Sequence, residues 1–451
     1  MSAIIDDKVV AGANSLNVVK EDPIVALTEK VNSLYLFRDH YFENHCLKDA
    51  VKKVSEVEER MKETLNKFDE YKGYEIDGSR AMYYYLKGKT FNVIERFNPQ
   101  AEELLSKAIK LEPSLIEAWN ELGECYWRNN NIQQAKNCFI GALPHGRNKV
   151  SLRNISMILR HENAETTEQR VKNIQDGVEY AKEAVSLDTS DGTSWLILGN
   201  AYLSSFFVIS QNPLTLRLCM SAYNQAEKDV IAKSNPDLFY NKAVALKYQE
   251  EYKLALHSFE RAMQLDPTWE GVKNKNDELL KYLKDIQSLF SSYGKLKAKR
   301  LHQMLKALDL KHMGPYKGGS YTSGDKTVKL DLTPINNLVV GNNTEKVIFG
   351  KVVCWIQDSD CVPFVFCIVD EGKTCIVVSV YNLAKGRGVT IGDSVAIPEP
   401  FVSHHSFSYV DNTFDFKSIR VETPVILVVN GKKLGLEQQA CPKLQTLKKA
   451  N

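Results

Sequence analysis

Between Ala118 and Ala142 the chain sets Trp119, Leu122, Gly123 and Tyr126 at steps of three, one and three, and then places Ala135, Phe139 and Ala142 further on. Steps of three and four are helical periodicity, so the two groups read as two helices folded back on each other. Gly123 has no side chain because the partner helix crosses there, while Trp119 and Tyr126 fill the volume between the helices. A pair of this kind cannot bury its whole apolar surface alone and must stack on further copies.

Copies are present on both sides. Gly88 and Phe91 precede Ala101, Leu105, Ala108 and Pro113 upstream. Downstream, Trp195, Leu198, Gly199 and Tyr202 restate the first helix, and Phe239, Ala243, Ala255, Phe259, Ala262 and Pro267 give another unit. A poorer copy lies between them, with Lys149 to Leu159 on its first helix and Gly177, Ala181 and Ala184 on its second. Two insertions, HENAETTEQR and SSFFVISQNPLTLR, interrupt the series. This is the tetratricopeptide repeat (TPR) pattern, with a period of about 34 residues, and stacked copies of it curl into a superhelix with a concave inner face. An ordinary helical bundle would not share small and aromatic residues at fixed offsets.

Bulk properties narrow the function. The 58 basic and 56 acidic side chains give a net charge of +2, so no global field draws the chain onto nucleic acid or an acidic membrane. The first residues carry Asp6 and Asp7 and no continuous apolar run, which argues against a signal peptide. No later stretch is read as reaching the roughly 18 apolar residues that span a bilayer, so no membrane is expected. Nine cysteines, scattered and never in a CxxC pair, suit reduced thiols and neither a zinc site nor a disulfide frame.

The expected organisation is a multi-domain chain, an all-α TPR superhelix followed by a small all-β OB-fold barrel. A disordered tail covers 1–24. The helical array covers 25–290, with an atypical N-terminal pair and a closing helix through Leu279, Leu283, Ile286 and Phe290. A basic helix and Gly-rich linker occupy 291–324, the barrel 325–435 and a tail 436–451. The barrel reading rests on short β-branched runs, KVIFGKVVCWI, PFVFCIVD and TCIVVSVYN, separated by turn signals, and on GVTIGDSVAIPEP. Strands that bind single-stranded nucleic acid interleave exposed aromatics with Lys and Arg. Residues 363–382 hold one Lys and no Arg, so Phe364 and Phe366 are expected in the core.

Reactive constellations are lacking. AKGRGVTIG does not end in Gly-Lys-Ser/Thr, His404 and His405 have no Asp or Glu at zinc-ligand spacing, and no nucleophile motif occurs. The chain is expected to be no enzyme, to have no catalytic or metal site and to need no cofactor.

In such an array the inner wall is lined by positions two, five, nine and twelve of each first helix. The register assigns Asn120 and Glu124, then Asn154, then Asn200, then Asp237, Tyr240 and Lys247. An Asn donates and accepts at once, so it can clamp the backbone of an extended peptide. Arg147 and Arg153 are available for a carboxylate, and Glu124 and Asp237 for a basic residue. Arg147 replaces the expected exit Pro between two repeats, and its loss is expected to cost binding about 2 kcal/mol or more. A chaperone-tail clamp needs Lys at position five, where this chain has Asn120 and Asn154.

The segments AEELLSKAIKLEP, EAWNELGECYW, RNKVSL, ILGNAYLS, GVTIGDSVAIPEP and RVETPVILVVNGK closely resemble the tetratricopeptide repeat protein five (Strap) family. The resemblance implies a TPR superhelix followed by an OB-fold, in a monomer of cytoplasm and nucleus. It further implies an adaptor that recognises the N-terminal Met-Arg-Glu-Ile or Met-Arg-Glu-Cys of nascent tubulin at the ribosome and promotes tubulin mRNA decay through an effector. The alternative role it implies is a nuclear stress-response co-activator assembling acetyltransferase and methyltransferase partners. For the ribosome the sequence offers Lys295, Lys297, Lys299 and Arg300, a cluster suited to phosphate contacts, to nuclear import or simply to a solvated helix face.

Overall fold

The computed structural model describes residues 22–71, 79–323, 326–356, 362–384 and 386–440. Most of the expected tails, 1–21 and 441–451, lies outside these residues. The chain divides into two compact units, Met1–Tyr41 with Lys52–Arg147, and Phe42–Val51 with Asn148–Asn451. The second unit joins the later repeats to the β-domain.

The first unit is built from α1 (Pro23–Asp39), α2 (Tyr41–Asn44), α3 (Ala50–Glu70), α4 (Arg80–Phe91), α5 (Pro99–Leu111), α6 (Ile116–Arg128) and α7 (Ile132–Ala142), although α2 and α3 straddle the division. Local chemistry sets the starts. Asn98 caps α5 by accepting from the Gln100 amide at 2.9 Å, with Pro99 as the first helical residue. Leu27, Val31, Phe68, Leu105 and Leu122 form the core, each contributing about 1.5–3 kcal/mol by burial. A Cβ on Gly123 would lie 2.7 Å from the Phe139 ring, which is why the motif demands glycine there. Trp119 does more than fill space, since its indole N–H donates to the Pro113 carbonyl at 2.8 Å. Trp195 repeats that bond to Thr189 at 2.9 Å.

The second unit continues with α8 (Lys149–His161), α9 (Thr167–Leu187), α10 (Gly192–Ser205), α11 (Pro213–Ala226), α12 (Val230–Lys233), α13 (Pro236–Tyr248), α14 (Tyr252–Leu265), α15 (Glu270–Ser291) and α16 (Ala298–Lys306). The first insertion leads into a long α9 capped by Thr166, and the second becomes a π-helical turn at Phe206–Ser210. Contrary to the sequence expectation, one stretch, Gly192–Ser210, is long and apolar enough to cross a membrane by length and composition. In the fold it is the first helix of a repeat, with Leu196, Leu198, Ala201 and Leu203 buried. Its apolarity serves packing against α9 and α11.

The β-domain comprises β1 (Ser320–Ser323), β2 (Lys326–Lys329), β3 (Asp331–Leu332), β4 (Gly341–Asn342), β5 (Lys346–Ile356), β6 (Phe364–Val369), β7 (Cys375–Val380), β8 (Ser394–Pro398), β9 (Phe401–Tyr409), β10 (Asn412–Val421), β11 (Val428–Val429) and β12 (Lys432–Lys433). Strand pairing follows the path β12-β11-β8-β5-β6-β7-β10-β9-β4, the all-β domain expected after the helical array. β8 and β9 are the two halves of one long segment interrupted at Glu399 and Pro400. Its first half, β8, pairs with β5, and its second half, β9, pairs with β10.

The central strands are buried on both faces. Ile348, Val352, Phe366, Ile368 and Val378 face the domain's own core. Val353, Ile356, Val365, Cys367 and Val377 share a second core with Leu279, Leu283 and Ile286 of the closing helix α15. The stretch expected as a Gly-rich linker is also docked. Met313 and Tyr316 are buried with Val347, Phe349 and Val428, and the Tyr316 hydroxyl donates to the Ile426 carbonyl at 2.7 Å.

Candidate functional site

The expected binding residues fall on both units, and their individual fates differ. In the first unit Asn120 is buried, and Glu124 pairs with Arg128 at 3.8 Å one turn along α6. Arg147 is exposed in the turn after α7. Beside Asn120 sits a carboxylate that sequence reasoning passed over. Glu121 accepts from Asn92 at 2.9 Å and from the Tyr35 hydroxyl at 3.4 Å, with Lys89 at 3.9 Å, and burial raises its pKa.

In the second unit Arg153 already has a carboxylate. Its guanidinium lies 3.1 Å from Asp191, whose side chain also caps α10 by accepting from the Ser194 amide at 3.3 Å. Lys149 holds Asp188 at 2.6 Å, and that contact together with the Ser190 hydrogen bonds depresses the Asp188 pKa. These pairs tie α8 to the start of α10. Tyr240 packs against Trp269, ring centroids 5.0 Å apart, and Lys247 lies over the Tyr282 ring at 6.0 Å.

Two other groups, Asn200 and Asp237, act on Tyr223. Asn200 accepts from the Tyr223 hydroxyl at 2.9 Å. Asp237 is exposed in the first turn of α13, and both its charge and that of Arg160 act on Tyr223. Asn154, on α8, is only 9% exposed, and its buried Nδ2 has no hydrogen-bond partner among the described residues. A buried amide N–H left unpaired costs about 1–3 kcal/mol, so this group is available to a carbonyl or a water.

Arg160 is the residue that sequence reasoning missed. It too is 9% exposed, yet no carboxylate among the described residues pairs with it. Its hydrogen bonds go to Ser156 alone, from Nη1 to the carbonyl at 3.1 Å and to Oγ at 2.8 Å. Desolvation pushes its pKa down to about 10, so it remains charged at neutral pH. Gly177 of α9 faces this turn of α8, where a Cβ would stand 3.3 Å from the Ser156 carbonyl and at an ordinary contact distance of 3.8 Å from Arg160 Cγ. The register rule passed over Arg160 because it is not at a lining position.

Elsewhere the second unit is held by a buried carboxylate at the α13–α14 turn. Glu250, at φ +63 and 4% exposed, accepts from the Tyr381 hydroxyl at 2.9 Å and lies 3.4 Å from Arg420 Nη1. The Arg420 guanidinium stacks 3.8 Å from the Tyr381 ring centroid and donates to the Tyr248 carbonyl at 2.9 Å. His405 stands 3.7 Å from Glu250, and desolvation lowers its pKa to about 4.

The four basic residues offered for a ribosome are spread over the Tyr293–Lys295 turn and α16. Lys295, Lys297, Lys299 and Arg300 are exposed, and none has a carboxylate partner among the described residues. At the far end of α16 a cavity of about 690 Å³ is lined by Lys306, Asp309, His312 and Lys317 together with Ala307, Leu308 and Leu310.

Comparison with known proteins agrees with this architecture. A family model described as the tetratricopeptide repeat protein 5 OB fold domain matches residues 329–443. One described as tetratricopeptide repeat matches residues 116–143 and 236–268. The human protein named Tetratricopeptide repeat protein 5 is 47% identical over 416 residues, covering 92% of this chain and 94% of its own. The mouse protein of that name is 46% identical over 412 residues, covering 91% of this chain and 93% of its own. Among solved structures, YrrB, described as a TPR protein with an unusual peptide-binding site, matches 47% of this chain and 97% of its own at 18% identity and a TM-score of 0.31.

Proposed function

Because this chain belongs to the tetratricopeptide repeat protein 5 family, whose repeats make it a protein-binding adaptor, we propose that its second unit captures an extended peptide carrying an acidic residue. The peptide is the N-terminal Met-Arg-Glu-Ile or Met-Arg-Glu-Cys of nascent tubulin, met at the ribosome in the cytoplasm, and capture leads to tubulin mRNA decay. The observation that carries this reading is Arg160, a buried guanidinium with no carboxylate partner among the described residues.

The roles follow from charge and hydrogen-bonding capacity. The peptide Glu meets Arg160, whose planar fork matches a carboxylate. The peptide Arg meets Asp237, and the free Nδ2 of Asn154 donates to a peptide carbonyl. Magnitudes favour Arg160 over Arg147 as the carboxylate receptor. An exposed ion pair contributes about 0–1 kcal/mol, whereas a hydrogen bond to a buried charge contributes about 1.5–3 kcal/mol. The exposed Lys295, Lys297, Lys299 and Arg300 supply phosphate contacts to ribosomal RNA.

A labelled Met-Arg-Glu-Ile peptide titrated into the full chain tests the reading. Replacing the peptide Glu by Gln should weaken binding to the wild type and leave Arg160→Gln, already weakened, unchanged. Equal losses in both proteins would show that the Glu is read elsewhere, and the same titration on Arg147→Gln would show whether Arg147 reads it.

A further inference from the structure

Three thiols of the β-domain lie beside one another on the sheet face that packs against α15. Cys354 of β5 and Cys367 of β6 are register partners, just past the bulge that displaces Val353. The Cys367 thiol is within hydrogen-bonding reach of the Cys354 and Cys375 thiols. All three are free. Cys354 and Cys367 are buried, while Cys375 at the start of β7 is partly exposed. Among the described residues no three side chains converge to hold a metal ion.

We propose that Cys354 and Cys367 are an oxidisable dithiol, converted by a peroxide into a cross-strand disulfide. Strand geometry selects this pair. Residues directly opposite in an antiparallel ladder have Cα atoms about 4.5–5.5 Å apart, inside the 4.4–6.8 Å window of a disulfide. Cys375 pairs with Val369 and Cys367 with Val377, so those two cysteines are diagonal neighbours. A diagonal separation of about 7–8 Å is too long to bridge without moving the backbone.

The chemistry balances with hydrogen peroxide as oxidant. The Cys354 thiolate attacks one peroxide oxygen, the O–O bond breaks, and the departing hydroxide takes a proton to become water. Cys367 sulfur then attacks the Cys354 sulfenic acid, the S–S bond forms, and the hydroxyl leaves as a second water. Two thiols lose two electrons, and peroxide gains them. Hydrogen bonding from Cys367 lowers the Cys354 pKa, and donating that bond raises Cys367, so the nucleophile and the resolving thiol are distinguished before oxidation.

The pair sits directly under the Tyr293–Lys295 turn. Gly294, at φ +68, is so close that a Cβ there would stand 2.7 Å from Cys354 Cβ. That enclosure selects a small, uncharged oxidant over a bulky disulfide reagent.

The full chain, treated with hydrogen peroxide and then alkylated, provides the test. Chymotrypsin cutting after Trp355, Phe364 and Phe366, with trypsin cutting after Lys373, separates Cys354, Cys361, Cys367 and Cys375. The expected product links the Cys354 and Cys367 peptides with loss of two hydrogens, survives in Cys375→Ser and disappears in Cys354→Ser. Wild-type mapping decides the question even if a serine variant fails to fold. Recovery of Cys354 and Cys367 both alkylated, or a link from either to Cys361 or Cys375 instead, overturns the proposal.

Discussion

Replacing Arg160 by Met separates a binding residue from a structural one, because the two roles move stability and affinity in different directions. Methionine keeps most of the stem volume beside Gly177 and removes the charge. Holding the guanidinium near pKa 10, below its ordinary value, costs the fold on the order of 3 kcal/mol. The two bonds to Ser156 offset about 1 kcal/mol each. Arg160→Met should therefore leave stability within about 1 kcal/mol of wild type, on the stabilised side. Binding should fall by about 1.5–3 kcal/mol, roughly 10- to 150-fold in Kd, because the peptide carboxylate loses a charge-assisted partner. Urea unfolding of the free chain and fluorescence anisotropy with a Met-Arg-Glu-Ile peptide read the two quantities. A variant destabilised by more than about 2 kcal/mol that still binds at wild-type affinity would refute the argument and make Arg160 a packing residue.

Other expectations follow from the same structure. Tyr381→Phe removes the hydroxyl that satisfies Glu250 and should cost about 1–3 kcal/mol in chemical unfolding, while peptide affinity stays unchanged. His405 is held neutral in the fold, with a pKa of about 4 against about 6.5 unfolded, so acidification between these values protonates the unfolded chain first. The stability contribution is whole above pH 6.5 and is lost as pH falls toward 4. His405→Gln should accordingly lose less stability than wild type over that window, by up to about 3 kcal/mol, in unfolding curves taken at stepped pH. Reversing the charge of Lys295, Lys297, Lys299 and Arg300 should weaken ribosome co-sedimentation and flatten its dependence on salt, and an unchanged salt slope would assign the cluster to solvent.

The repeats were legible because their determinants are local. The steps from Trp119 to Tyr126 and from Trp195 to Tyr202 announce helices, and Gly123 and Gly199 announce crossings that the Phe139 and Tyr223 rings fill. The strands were legible from β-branched runs. Long-range pairings were not. Glu250 reads as one more acidic turn residue, and only the fold brings it to Tyr381, 131 positions on. The segment around Tyr316 reads as a linker because its glycines hide two buried anchors. The candidate site was half legible. Position counting assigned Asn154 and Asn200 to the lining, but the partner of Arg153 lies 38 residues away at Asp191, and the burial of Arg160 comes only with the folded array.

The most direct measurement places a photoreactive residue next to the peptide Glu in a tubulin chain emerging from a translating ribosome and maps where it crosslinks on this protein. The account requires adducts on α8, α10 and α13, near Arg160, Asn200 and Asp237, that are lost in Arg160→Gln. Adducts confined to the β-domain, or an α8 adduct that persists undiminished in Arg160→Gln, would contradict it.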